Sequence, residues 1–154
     1  MTKGDRELTT CRTACNAKDV GGMVMYDVTK RLELYGYTLK DTDSYLLTVA
    51  FERVRGTIHN DCNVKDVPLG LRHVAADMTL GEFLRAKLTF SPDDLATFDL
   101  DVAVKQIQTG DTNTVFAVGG NDGSMTPEQR LNAYISYLLT AGRSEFSAYR
   151  RLRW

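Results

Sequence analysis

Apolar side chains recur three and four residues apart in four stretches of the chain, which is the period of an α-helix. The two clearest stretches are 46–58 and 131–139. A third follows Pro68, and a weaker one covers 20–37. Their apolar positions are Met23, Met25, Tyr26, Leu32 and Tyr35; Leu46, Val49, Ala50, Val54 and Ile58; Leu71, Val74, Ala75, Met78, Phe83 and Leu84; and Leu131, Tyr134, Ile135, Leu138 and Leu139. The pattern predicts four helices.

The ends of these stretches carry residues that favour starting or stopping a helix. Residues 41–43 offer side-chain oxygens and negative charge at a helix start. Pro68 suits the first turn of the next helix. Thr126 and Gln129 have the spacing of a capping box, and Gly142 is a good stop. Because short helices need tertiary packing to persist, we expect these helices to form a small bundle.

Between the third and fourth helical stretches the pattern changes to alternation. Val102 and Val104 alternate with their neighbours, residues 110–113 have turn chemistry, and Val115 and Phe116 begin a second β-rich run. This predicts a β-hairpin over 101–118. The predicted fold class is mainly α: a small helical bundle with one inserted β-hairpin and an extended C-terminal arm.

The expected organisation has three parts. Residues 1–20 are an N-terminal segment without an assigned structure, 21–142 form the helical domain, and 143–154 form the C-terminal arm. The arm holds four arginines and one acidic residue, Glu145, whereas the other 142 residues carry fifteen basic and nineteen acidic side chains. A basic arm on an acidic body favours head-to-tail contacts or contacts with an acidic partner.

The arm also ends on Trp154, the only tryptophan of the chain. Trp, Tyr and Arg are the residue types that most often anchor protein interfaces. The composition therefore indicates a segment that docks on another protein surface. The alternative is that Phe146, Tyr149, Leu152 and Trp154 fold back onto the bundle, which their spacing also allows.

Other features of the chain bear on where it resides. No apolar run approaches the roughly 18–20 residues that span a bilayer. Residues 1–17 lack the apolar core of a signal peptide. Three cysteines, an odd number, argue against a disulfide framework and fit a reducing compartment. We expect a cytosolic protein with no membrane contact.

The strongest metal candidate combines three cysteines and a histidine. Cys11 and Cys15, and likewise His59 and Cys62, lie about one helical turn apart, and four such ligands can bind zinc. Nothing in the sequence brings the two pairs together, and pairs this loose are common by chance. We therefore expect no metal and no other cofactor.

Candidates for catalysis are equally weak. No serine lies in a nucleophile elbow, and His73, beside Leu71 and Val74, is expected to fill a helix face. Asp93 and Asp94 follow Pro92 and indicate a helix start. The glycines at 119, 120 and 123 lack the Lys-Ser/Thr of a phosphate loop. We expect no catalytic residues and no enzyme activity.

Three parts of the chain resemble the head–tail connector, or adaptor, proteins of tailed bacteriophages. The first comprises Tyr45 to Ala50, Val54, Ile58, Asn60, Asn63 and Val67 to Leu71. The second is Val104 to Thr112 with Val115 and Phe116. The third, Phe146 to Trp154, resembles the closing segment of adaptors from phages and prophages of Gram-positive bacteria. The order of the three parts carries the resemblance, which covers residue 41 to the end.

The resemblance implies a structural virion protein of the neck, made in the host cytoplasm. Such proteins form a ring, typically of twelve copies, beneath the portal protein, extend the DNA channel without recognising DNA sequence, and offer a platform to a head-closure, stopper or tail-completion protein. The resemblance assigns portal docking to Phe146, Tyr149, Arg150, Arg151, Leu152, Arg153 and Trp154. It assigns contact with the next neck protein or the lumen to Gln108, Thr109, Gly110, Asp111, Thr112 and Asn113.

A different class of protein also fits the arm. A small cytosolic helical regulator could bind one protein or a nucleic acid through it, with arginines on phosphates and Tyr149 and Trp154 stacked on bases. Four arginines are few for nucleic acid, and the rest of the chain is acidic. A protein surface is the favoured partner.

Overall fold

The computed structural model describes residues 19–108 and 126–152, and within them every regular element is helical. The α-helices are α1 (Val20–Leu34), α2 (Asp41–Cys62), α3 (Arg72–Phe90), α4 (Leu100–Gln108), α5 (Pro127–Thr140) and the short α6 (Phe146–Tyr149). Three 3₁₀ turns, Leu69–Leu71, Pro92–Thr97 and Ala141–Glu145, connect them. The prediction of a mainly α fold is confirmed.

The β-hairpin prediction is wrong for residues 101–108, which belong to α4. Asp99 explains the helix: its carboxylate accepts hydrogen bonds from the amides of Asp101 and Val102, which caps a helix start. Ala103 and Val104 are adjacent and both buried, as a helix allows and a two-faced strand does not. The rest of the predicted hairpin, 109–118, lies outside the described residues.

Helix α3 is the centre of the bundle, and α1, α2 and α5 pack around it. Its buried positions lie on most of its circumference: Val74, Ala75, Ala76, Met78, Thr79, Leu80, Gly81, Phe83, Leu84 and Lys87. A helix that is buried on this many sides is surrounded by other elements. Gly81 allows α5 to come close, since a Cβ there would lie 3.1 Å from Leu138 and Leu139.

Side-chain pairs show the directions of the helices. Asp27 and Arg31 of α1 pair with Arg72 and Asp77 of α3 respectively, so these two helices are parallel. Helix α2 is antiparallel to α3, because Asp43 near its start pairs with Lys87 near the end of α3. Helix α5 is also antiparallel to α3, because Gly81 of α3 faces Leu138, whereas the later Gly142 faces the earlier Val74. The long helices therefore alternate in direction along the chain.

This arrangement gives the bundle two ends. At the Lys87 end, Lys87 meets Asp43 and Asp94, which joins α3 to the start of α2 and to the 3₁₀ turn after α3. At the Cys62 end, the last turn of α2 meets Phe146. Because α2 has 22 residues, the two ends are about 33 Å apart.

One predicted helix start is confirmed in detail, and another is displaced. Thr126 accepts a hydrogen bond from the Gln129 amide at 3.2 Å, and the Gln129 side chain accepts one from the Thr126 amide at 3.0 Å. The predicted capping box is confirmed. Pro68 precedes a 3₁₀ turn, and α3 begins only at Arg72, which is later than predicted. Within the described ranges, no helix has both the length and the apolar character needed to cross a membrane.

Candidate functional site at the C-terminal arm

The first half of the C-terminal arm packs on the bundle. Phe146 is 2% exposed and belongs to the hydrophobic core, and its carbonyl accepts a weak hydrogen bond from the Cys62 thiol at 3.6 Å. Tyr149 packs against the same core and is half-buried. For these two aromatic residues the fold-back alternative is confirmed. The prediction of an arm that is extended from residue 143 is therefore wrong, because the chain becomes extended only at Arg150.

Tyr149 rests on a glycine. A Cβ at Gly70 would lie 1.8 Å from the Tyr149 hydroxyl oxygen and 2.7 Å from the ring carbon that bears it. Only glycine leaves room for the ring in this position. The pairing of Tyr149 with Gly70 joins residues 79 positions apart, which no local sequence pattern indicates.

The arm next runs across the end of α2 and satisfies its free carbonyl groups. The Arg151 amide donates to the Cys62 carbonyl at 2.8 Å, and the Arg150 guanidinium donates to the Asp61 carbonyl at 3.1 Å. Asn63, in the left-handed conformation (φ 53°), donates from its side chain to the Arg151 carbonyl at 3.2 Å. The last carbonyls of a helix lack partners within it and carry partial negative charge, so a backbone amide and an arginine are favourable there.

These contacts attach the backbone of the arm to the end of α2 as far as Arg151. Arg150 and Arg151 are exposed, and Leu152 is 72% exposed. Arg153 and Trp154 lie outside the described residues. The structure therefore describes five of the seven predicted docking residues. Phe146 and Tyr149 anchor the arm to its own bundle, and Arg150, Arg151 and Leu152 are exposed.

The second predicted contact surface lies mostly outside the described residues. Gln108 is the last residue of α4, and 109–113 are not described. An ion pair of 2.6 Å joins Asp101, at the start of α4, to Arg130, in the first turn of α5. Because the arm follows the other end of α5, the start of α4 and the arm lie at opposite ends of that helix.

Of the four residues considered for metal binding, only His59 and Cys62 belong to the described part of the chain. Cys62 is fully buried, and burial, followed by the charge of Asp61, raises the pKa of its thiol. His59 is exposed on α2, while Cys11 and Cys15 lie outside the described residues. Among the described residues, no group of three His, Cys, Asp or Glu side chains is placed to hold a metal ion.

The prediction that His73 fills a helix face is wrong. His73 is exposed and pairs with Glu145 at 3.2 Å. The apolar neighbours Leu71 and Val74 point inward, while His73, between them, points outward.

Asp94, in the 3₁₀ turn after α3, forms ion pairs with Lys40 and Lys87.

A buried ionic cluster at the Lys87 end was not found by sequence reasoning. Lys87 Nζ lies 2.6 Å from Asp43 Oδ1 and 2.9 Å from Asp94 Oδ2, and the side chains of Lys87 and Asp43 are only 6% and 1% exposed. Tyr37 donates to Asp43 Oδ2 at 2.7 Å, and the Lys40 amide donates to it at 3.0 Å. A signal existed: Lys87 follows Phe83 and Leu84 at helical spacing, on the buried side of α3.

The cluster keeps its charged groups ionised. Burial by itself would raise the pKa of Asp43, but hydrogen bonds from Lys87, the Lys40 amide and Tyr37 lower it overall. Burial likewise opposes the charge of Lys87, and the hydrogen bonds to Asp43, Asp94 and Tyr37 raise its pKa overall. Burial and the bond to Asp43 raise the pKa of Tyr37 to about 12. A lysine held as a cation by two carboxylates is a structural clamp and a poor base.

The chain matches none of the protein-family models, curated proteins or solved structures with which it was compared.

Proposed function

We propose that this protein is a head–tail connector of a tailed bacteriophage, a structural virion protein that forms a ring beneath the portal. The observation that carries the proposal is the C-terminal arm, which is anchored by Phe146 and Tyr149 and then presents Arg150, Arg151 and Leu152 outward. The resemblance of residues 146–154 to the closing segment of connectors supports the same role. In this role the arm docks on the portal.

The size of the arm favours a multivalent assembly. Burying one side chain such as Leu152 contributes about 1.5–3 kcal/mol. Association of two proteins costs about 4–15 kcal/mol in lost freedom, so a single arm binds weakly. A ring of copies, twelve in the connectors that this chain resembles, engages all portal sites together and gains avidity without new contacts. Such a chain remains unassembled until a portal offers several sites.

The described chain also has a second exposed part away from the arm. The arm leaves from the Cys62 end, whereas Asp101, at the start of α4, lies by the first turn of α5, at the other end of that helix. A connector needs one surface for the portal and another for the head-closure, stopper or tail-completion protein. Two exposed parts at opposite ends of α5 are compatible with contact to both partners at once.

The charge of the chain agrees with a channel through which DNA slides. Outside residues 143–154 the chain carries an excess of four acidic side chains. Tight binding of nucleic acid requires many cationic contacts with phosphates, and this composition opposes them. The genome therefore passes without being held.

The test uses the intact protein and the portal ring encoded beside it. Electron microscopy of the mixture is expected to show a symmetric ring of density below the portal. The variant Leu152→Ser with Arg151→Ala is expected to lose this density. The matched control is Leu34→Ser with Arg53→Ala, since Leu34 is 68% exposed and Arg53 is an exposed arginine on α2.

Two results count against the proposal. Equal portal binding by the arm variant and its control would show that the arm does not dock. A fixed low-order oligomer with no affinity for the portal would instead favour a helical regulator that binds another partner through the arm. Deleting 143–154 entirely is a poor test, because it removes Phe146 from the core and the caps from the end of α2.

A further inference from the structure

An open groove of about 590 Å³ lies beside the first turn of α1. Its apolar floor includes Phe51 and Leu69, and Leu69 is 57% exposed although it is a large apolar residue. Gly21 lets the floor form, since a Cβ there would come within 3.2 Å of the Phe51 ring. A segment that covers this concave surface would remove the exposed leucine and the edge of the aromatic ring from water, which is favourable.

The rim of the groove is acidic. Asp19, Glu52 and Asp66 line it, and Arg55 is the one basic residue among the described residues that do so. Arg55 lies between two of these carboxylates, 3.7 Å from Glu52 and 3.2 Å from Asp66. The lining residues together carry a net charge of −2. A segment that covers this groove should combine positive charge with small or apolar side chains.

We propose that the groove is the docking site for the N-terminal segment of the same chain, residues 1–18. The described chain begins at Asp19, which itself lines the groove. Residues 1–18 contain four basic residues and two acidic ones, a net charge of +2. Small side chains lie next to the basic residues Arg12 and Lys18: Cys11 precedes Arg12, and Ala14, Cys15 and Ala17 lie between the two. The net charge of the segment is opposite to that of the groove.

Attachment to the groove's edge makes a weak interaction sufficient. Exposed ion pairs are each worth about 0–1 kcal/mol, so a free peptide of this composition would bind poorly. A short tether raises the effective concentration to the order of millimolar. Eight residues span at most about 29 Å, so residues 11–18 can reach across a groove of this volume. The proposal assigns a role to the segment that lies outside the connector resemblance, and it does not depend on the connector function.

The experiment places a spin label on Cys11 of the intact chain carrying Cys15→Ser. Cys62 is fully buried and does not take the label. NMR is expected to show strong broadening of the amide signals of Phe51 and Leu69, with the signals of α5 unaffected. The charge-reversed groove, Glu52→Lys with Asp66→Lys, is expected to lose the broadening. The matched control, Glu33→Lys with Asp93→Lys, makes the same change in net charge on exposed acids elsewhere and is expected to keep it.

A second variant keeps the groove intact. Arg12→Glu is expected to reduce the broadening at Phe51 and Leu69 without altering the bundle. Broadening that is absent at the groove, or unchanged by the groove variant and by Arg12→Glu, would overturn the proposal. So would broadening in a mixture of spin-labelled and isotope-labelled copies, because it would mean that a second copy supplies the segment.

Discussion

Lys87 is a charged residue on the most buried helix of the protein, and its partners decide what its burial costs. Two charges removed from water are each strongly destabilising unless they pair closely and their remaining hydrogen-bonding groups are satisfied. Asp43 and Asp94 neutralise Lys87, and Tyr37 and the Lys40 amide donate hydrogen bonds to Oδ2 of Asp43. The cluster ties the start of α2 to the end of α3 through charge as well as apolar contact.

We predict that Lys87→Met destabilises the protein by about 3–5 kcal/mol, because it leaves the Asp43 carboxylate buried without a cation. Urea unfolding monitored by circular dichroism measures this change. Lys30→Met is the control: Lys30 pairs with Glu33 on the surface of α1 at 2.7 Å, and solvent screens such an exposed pair, so its loss should change stability little. Equal losses in the two variants would contradict the prediction.

The same cluster predicts how stability depends on pH. The pKa of Asp43 is lowered in the folded protein, so the ionised form of Asp43 stabilises the fold. This stabilisation is fully present above the unfolded pKa of about 3.9 and is lost as pH falls through the lower folded pKa. We predict that the free energy of unfolding decreases below about pH 4 and that Asp43→Asn flattens this decrease. Unfolding curves at a series of pH values measure both slopes. Parallel profiles for the two proteins would contradict the assignment.

At the scale of the elements, two glycines set the distance between α3 and the C-terminal part of the bundle. Gly81 in α3 faces Leu138 and Leu139 of α5, and Gly142 after α5 faces Val74 of α3. Closely packed helices without side chains at the contact leave no room for a methyl group. The sequence predicts Gly142 only as a helix stop, and the structure adds that its lack of a side chain is needed against Val74.

We predict that Gly142→Ala destabilises the protein by about 1–3 kcal/mol, because the new Cβ would lie 2.5 Å from a Val74 methyl group. Val74→Ala removes both methyl groups that obstruct it. The double variant should therefore be less destabilised than the sum of the single variants, with a coupling of about 0.5–3 kcal/mol. Thermal unfolding of the four proteins measures the coupling, and strict additivity would show that the contact is unimportant.

Gly56→Ala is the reference variant for Gly142→Ala. Gly56 lies in α2, and nothing lies within 4 Å of a Cβ built there. Alanine is favoured over glycine inside a helix by about 0.5–1 kcal/mol. The same substitution should therefore stabilise at 56 and destabilise at 142, and this difference in sign separates packing from helix propensity.

At the scale of the whole molecule, the C-terminal arm joins parts of the chain that are far apart in sequence. Phe146 enters the core next to Cys62, Tyr149 rests on Gly70, and Arg151 closes the end of α2. The backbone of the arm is therefore part of the fold as far as Arg151, whereas the side chains of Arg151 and Leu152 are exposed. The proposed docking role and a folding role therefore fall within the same short segment.

We predict that Phe146→Ala costs about 3–5 kcal/mol of stability, as expected for a large aromatic side chain removed from a core. Leu152→Ala should change stability by less than about 0.5 kcal/mol, because the side chain is 72% exposed. Denaturant unfolding measures both values. A large loss at Leu152 would mean that this side chain stabilises the fold and would weaken its assignment to docking.

Local patterns were sufficient to predict the mainly α class, the four long helical stretches and the capping box at Thr126, because the period of apolar residues and the capping chemistry depend on neighbours along the chain. They failed at α4, where β-branched Val102 and Val104 indicated a strand and the Asp99 cap was overlooked. The burial of Lys87 with Asp43, the place of Tyr149 on Gly70 and the closure of α2 by the arm were decided only by tertiary structure. Each of these contacts joins residues more than 40 positions apart, and their energies depend on burial and distance that no local pattern contains.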